Sequence, residues 1–152
     1  MGVGHDVESV HAKLIKDFSI FMKDRGYACF EEAPIHWIST PDVLCLKRDY
    51  KRRETIIGEI KASRADFLKE KRNKKYLKSL NICNKFYFVC KEGLIKPEEV
   101  PEGCGLYWQP KDSLYFVCQK NAKAKKGECF TEKETWSLLL SFETKLNKLR
   151  ER

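Results

Sequence analysis

Two carboxylates and a lysine stand in this chain at a spacing that can hydrolyse a phosphodiester. Asp42 follows Pro41 and opens the apolar run Val43-Leu44-Cys45-Leu46, and Glu59-Ile60-Lys61 closes a second run that begins at Thr55. If the two runs pair as a hairpin through residues 47–54, Asp42 and Glu59 come opposite one another. The strand period of two then puts Glu59 and Lys61 on one face and Ile56 and Ile60 on the other. Two carboxylates a few ångströms apart repel, and both pKa values rise unless a cation sits between them. A hard divalent ion, Mg²⁺ or Mn²⁺, resolves that conflict. It takes carboxylate, carbonyl and water oxygens and keeps positions open for a phosphate. Lys61 would orient the attacking water and balance the charge of the phosphorane. Each fragment also has a plainer use, since Glu-x-Lys in a strand is commonly a solvated charge pair and Pro-Asp a common turn. It is their order, between a first helix and a very basic second one, that points to phosphodiester chemistry.

The elements that must hold these residues follow from periodicity. Residues 6–25 carry Val7, Val10, His11, Leu14, Ile15, Phe18 and Met22 at steps of three and four, which predicts an amphipathic helix capped by Asp6 and stopped at Gly26. His11 lies on that stripe and reads as a packed core residue. Strands are expected within 27–39 (Tyr27–Phe30 and Ile35–Ile38), at 43–46 and at 55–61, and Gly58 inside the last suggests a close backbone approach. Residues 64–80 read as one helix with a sparse apolar stripe, Ala65, Leu68, Tyr76 and Leu80. Further strands are expected at 86–90, 105–109 and 114–119. A final helix opens on the capping box Thr131-Glu132-Lys133-Glu134, with Trp136, Leu139, Leu140, Phe142, Leu146 and Leu149 as its apolar positions. The 152 residues make a single α/β domain with a mixed sheet, its core about 6–119 and its last helix about 131–150.

Pro41-Asp42 followed by Glu59-Ile60-Lys61 resembles the signature of the PD-(D/E)XK nuclease superfamily in its helix–strand–strand–strand–helix–strand setting. Asp42–Leu46, Gly58–Ser63, Asp66–Lys71, Tyr76-Leu77, Asn84–Cys90, the stretch 97–103 and Gly105-Leu106 are similar to the MmcB family of DNA-repair-related proteins. The resemblance covers about residues 6–108. It implies a restriction-endonuclease-like fold, a divalent metal and a DNA substrate. By position it implies Asp42 and Glu59 as metal ligands and Lys61 as the catalytic lysine. Glu8 matches the first-helix glutamate that some members use as an extra ligand, and it equally suits a helix N-terminus. Ser63, Asp66 and Lys71 match residues that surround the metal ligands, while Asp66 is equally a helix-start acid. The chain departs from the family pattern after Asp66-Phe67, where an Asp and a Lys-Trp pair are expected and Glu70 and Arg72 stand instead.

Charge bears on the partner. Thirty Lys and Arg oppose 22 acids, a net charge of +8. The helix at 64–80 alone is +5, from Arg64, Lys69, Lys71, Arg72, Lys74, Lys75 and Lys78 against Asp66 and Glu70. Such a row is usually a solvated face. Arg64, Lys71, Lys74, Lys75 and Lys78 nevertheless follow directly from the strand that ends at Lys61, so some of them border the cleft and would meet DNA phosphates, with a steep salt dependence. Residues 47–53 and 120–126 add two further basic patches, and Trp37, Tyr50 and Trp108 are candidates for base stacking.

The seven cysteines are odd in number, form no C-x-x-C, and are not joined by His5, His11 or His36 at zinc spacing. Free thiols point to a reducing, cytoplasmic compartment. No run approaches the roughly 18 apolar residues of a membrane span, and the first residues lack signal-peptide character, so no membrane partner is expected. The chain is compatible with a homodimer. The leading expectation is a metal-dependent DNA endonuclease or repair-associated nuclease. Its rivals are a non-catalytic nucleic-acid-binding module on the same fold and a subunit whose basic face docks an acidic protein.

Overall fold

The structure is a computed structural model that describes residues 8–151. Helix α1 (Val10–Asp24) is capped by Ser9, whose hydroxyl accepts from the Ala12 amide at 3.0 Å. The expected cap, Asp6, lies outside the described residues. The helix stops where Gly26 turns to φ +94°, a backbone that glycine adopts without strain.

Six strands form one sheet in chain order: β1 (Tyr27–Glu31), β2 (Val43–Lys47), β3 (Thr55–Ile60), β4 (Lys85–Lys91), β5 (Gly105–Gln109) and β6 (Val117–Lys120). β1, β2 and β3 are antiparallel neighbours, β3, β4 and β5 run parallel, and β6 returns antiparallel to β5. The sheet is therefore mixed and the domain α/β, as expected. Parallel neighbours need crossovers, which residues 61–84 and 92–104 supply.

The strand period sorts the core onto two faces. α1 lays Leu14, Ile15, Phe18 and Met22 over Val43, Cys45, Ile56, Ile60, Val89 and Tyr107. The opposite face stacks Leu44, Ile57, Phe86, Phe88 and Leu106 beneath Phe67, Phe130 and Leu138. Gly58 lies under α1, where a Cβ would stand 2.6 Å from Phe18 Cε2, so the close approach read from the sequence is the contact that seats α1 on β3. Buried Asn84 ties β3 to the C-terminal region. Its Oδ1 accepts from the Thr55 amide, and its Nδ2 donates to the carbonyls of Lys125 and Gly127.

Several expectations need correction. Residues 35–38 form no strand; a lone bridge joins Ile35 to Ser39, and Trp37 turns out to solvent at φ +66°. β6 begins at Val117, later than the expected 114. The basic helix is two, α2 (Arg64–Asn73) and α3 (Tyr76–Leu80), because Lys74 adopts φ +57° and closes α2 through its amide on Glu70 O at 2.8 Å. The buried side chains of α2 are Phe67 and Glu70, whereas Ala65 and Leu68 face solvent.

The last helix, α4 (Glu132–Arg150), has the expected capping box, but its apolar stripe faces outward. Trp136, Leu139, Leu140, Phe142, Leu146 and Leu149 are all exposed, and Ser137, Leu138 and Ser141 make the packed face. The small serines let the helix approach the chain closely: His36 N donates to Ser137 Oγ at 2.7 Å and Ser141 Oγ donates to Pro34 O at 2.5 Å. No helix among the described residues is long and apolar enough to cross a membrane.

Candidate active site

The β2–β3 register sets the site. Val43 pairs with Gly58, so the next residues outward, Asp42 and Glu59, meet at the open end of the hairpin. The Ile60 amide donates to Asp42 Oδ2 at 2.8 Å and pins the carboxylate there. Lys61 continues β3, its backbone held by Val89 O at 2.9 Å. Its ammonium lies 3.8 Å from Glu59 Oε2 and donates a short hydrogen bond to Glu70 Oε1. Glu70 reaches it from α2, one turn beyond Phe67, whose ring anchors that helix on Phe88.

Three carboxylates therefore face one buried ammonium. Burial pushes the Glu59 carboxyl up to about 8, helped by the charges of Asp42 and Glu70. Asp42 is also raised by burial, despite the Ile60 amide and the neighbouring His11 and Lys61. Burial alone would lower Lys61, but the hydrogen bond and charge of Glu70, with Glu59 and Asp42 behind, raise it, so it stays an ammonium. The cluster lacks positive charge, and its free donors are carboxylate oxygens. That set suits Mg²⁺ or Mn²⁺, whose remaining positions go to water and phosphate. The Ile60 amide and His11 both lie against Oδ2 of Asp42, which leaves Oδ1 for such an ion. Among the described residues no group of three His, Cys, Asp or Glu side chains forms a preassembled cage.

The remaining candidates are dispersed. Glu8 is exposed and pairs with Lys16 at 3.0 Å. The α1 residue that does reach the site is His11, with Nε2 3.5 Å from Asp42 Oδ2. It is partly exposed, which corrects the packed-core reading. Ser63 caps α2 by accepting from the Asp66 amide at 3.2 Å, and Asp66 is an exposed first-turn acid. Lys71 is exposed in the last turn of α2. The acid beside Lys61 is Glu70.

The basic residues divide likewise. Arg64 grips Glu99 with both ends of its guanidinium, at 3.0 and 2.7 Å, and is committed to that pair. Lys71, Lys74, Lys75 and Lys78 are exposed, and Lys75 is close enough to oppose the upward shift of Glu59. Lys120 and Lys125 donate to the carbonyls of Val100 and Leu80, which spends part of the patch at 120–126 on structure. The patch at 47–53 surrounds a cavity of about 610 Å³ at the closed end of the hairpin, bordered by Lys47, Arg48, Lys51 and Arg52. Trp37 and Tyr50 are open to solvent, whereas Trp108 donates its Nε1 hydrogen to Ile95 O at 2.7 Å.

Comparison with known proteins shows the fold. No family model matches the chain, and no curated protein matches it. A solved protein of unknown function from Silicibacter pomeroyi superposes with a TM-score of 0.68. The match covers 95% of this chain and 92% of the other at 18% identity, so the two share the α/β architecture over nearly their whole length.

His11 and Glu70 are the two site residues that sequence reasoning missed. A polar residue in the first turn of an apolar stripe was the available signal for His11. For Glu70 it was the i, i+3 spacing from Phe67.

Proposed function

We propose that the Asp42–Glu59–Lys61 cluster is the active site of a metal-dependent nuclease of the PD-(D/E)XK type, with a restriction-endonuclease-like fold and DNA as substrate. The observation that carries this reading is the β2–β3 register that sets Asp42 opposite Glu59 at the open end of a hairpin, with the buried Lys61 ammonium 3.8 Å from Glu59 Oε2. Asp42 and Glu59 would hold a divalent ion, which supplies Lewis acidity toward a phosphate oxygen and an acidified water. Lys61 stays protonated and stabilises negative charge growing on the phosphate. Glu70 fixes the ammonium in place, and His11 orients the Asp42 carboxylate. Lys71, Lys74, Lys75 and Lys78 neutralise backbone phosphates without reading sequence.

One observation favours a second reading. Lys61 is so well paired with Glu70 that it also serves as a structural counterion, as in a binding module that lacks turnover. The test is a panel of duplex, single-stranded and branched DNA incubated with the protein and Mg²⁺ or Mn²⁺, with Asp42→Asn as control. Cleavage that requires the ion and Asp42 is the expected result. Salt-dependent binding without cleavage would support the binding module. Absence of both would overturn the nucleic-acid reading and favour an acidic protein partner.

A further inference from the structure

Cys29 and Cys45 are direct partners across the β1–β2 ladder, and their Sγ atoms lie 3.7 Å apart. Directly opposed residues of an antiparallel pair have Cα atoms roughly 4.5–5.5 Å apart, inside the range a disulfide spans. A small rotation of the two side chains would bring the sulfurs to bonding distance. The two thiols also differ in access. Cys45 is fully buried under α1, while Cys29 is partly exposed on an edge strand and borders a cavity of about 230 Å³. Lys23, Glu31 and Lys145 stand at that cavity, so two cationic groups and one carboxylate border the approach to Cys29.

We propose that Cys29 and Cys45 form a redox modification site, in which a small anionic disulfide such as glutathione disulfide enters beside Lys23 and oxidises the pair to an intramolecular cross-link. Cys29 is the attacking thiol. Its pKa is lowered by the hydrogen bond with Cys45, and Lys23 adds to the effect. Its thiolate attacks one sulfur of the reagent. A mixed disulfide forms at Cys29, and the first glutathione leaves as a thiolate that takes up a proton. Cys45, which the hydrogen bond with Cys29 and burial hold as a thiol, gives up its proton to the departing second glutathione as its sulfur attacks Cys29 Sγ. The balance is two protein thiols oxidised and one glutathione disulfide reduced to two thiols. Among the described residues no other two thiols face each other across a ladder: Cys83, Cys90 and Cys104 are buried and lie away from this position.

The cross-link would close the loop that carries the exposed Trp37 and leads into Asp42, and so fix the edge strand to the strand that presents the site. This inference does not depend on the nuclease reading, because the chemistry uses neither Glu59 nor Lys61.

The full chain is treated with glutathione disulfide, quenched with acid, and mapped by peptide mass spectrometry. The expected product is a Cys29–Cys45 linked peptide. Cys45→Ser should stop at a glutathione adduct on Cys29, and Cys29→Ser should leave Cys45 unmodified. In the reduced protein, iodoacetamide should label Cys29 about tenfold or more faster than Cys83, Cys90 and Cys104. Adducts confined to the exposed Cys118, or a Cys29 that labels no faster than those buried thiols, would overturn the proposal. Mapping of the wild-type chain needs no substitution, so the presence or absence of the Cys29–Cys45 linked peptide decides the matter even if a variant fails to fold.

Discussion

Replacing Glu59 with Gln in metal-free protein should abolish a specific pH dependence of stability. The carboxyl ordinarily titrates at 4.5 and is raised to about 8 in the folded chain. Between those values the folded state binds one proton more than the unfolded state, so wild-type stability is fully present below pH 4.5. It then falls with rising pH by about 1.4 kcal/mol per unit until pH 8. The whole span corresponds to an upper value of about 5 kcal/mol. The side chain is 18% exposed, so water screens part of this, and a loss of about 2–5 kcal/mol is expected. Gln keeps the shape without the titration, so the variant should gain on the wild type as pH rises. The assay is urea unfolding of both proteins at steps from pH 5 to 8 in the presence of a chelator, comparing the difference in free energy. Parallel curves would refute the reasoning, since they would mean that Glu59 ionises as readily in the fold as in the unfolded chain.

Lys61→Ala should remove turnover while leaving DNA affinity nearly intact, and should cost about 3–5 kcal/mol in stability because Glu70 loses its buried partner. The double variant Lys61→Met with Glu70→Leu should recover stability in urea unfolding and still not cleave, which separates the chemical role from the structural one. Replacing Lys71, Lys74, Lys75 and Lys78 by Ala should weaken binding to unrelated duplexes alike. It should also flatten the log–log salt slope by roughly one unit for each phosphate no longer neutralised, measured by affinity titrations across salt; an unchanged slope would shift the DNA path to the 47–53 patch. Gly58→Ala should destabilise by about 1–3 kcal/mol, because its Cβ would meet Phe18 Cε2 at 2.6 Å; a calorimetric scan would read this as a lower Tm.

The hairpin was legible because its information is local. The strand period sets Ile56 and Ile60 on the α1 face and Glu59 with Lys61 on the other, and the short connection between the strands sets the register that brings Asp42 opposite Glu59. Gly58 announced its close approach for the same reason, since only a missing side chain makes room for Phe18. The basic helix was misjudged because no glycine or proline marks its end, and Lys74 adopts the left-handed turn itself. In α4 the apolar positions read from the sequence are exposed, and the packed face is Ser137, Leu138 and Ser141. Hydrophobicity alone cannot reveal that Ser137 and Ser141 allow the closer approach, through hydrogen bonds to residues 34 and 36. Glu70 escaped because a burial stripe assigned to Ala65 and Leu68 leaves it pointing at solvent, whereas the stripe through Phe67 turns it inward to Lys61.

The topology also orders events in time. Asp42 and Glu59 belong to one antiparallel hairpin, closed by the short segment 48–54, whereas β3 meets β4 only after the longer crossover 61–84 has been gathered in. Closing the shorter loop costs less chain entropy, so the acidic pair is reached by a smaller conformational search than the parallel core around it. Hairpin closure ahead of the parallel core would place the repulsion between the two carboxylates on an early step of folding, which stopped-flow refolding of Asp42→Asn against the wild type would read. Neutralising either acid should quicken folding more than it slows unfolding, so that the residues assigned to chemistry also govern how fast the molecule assembles.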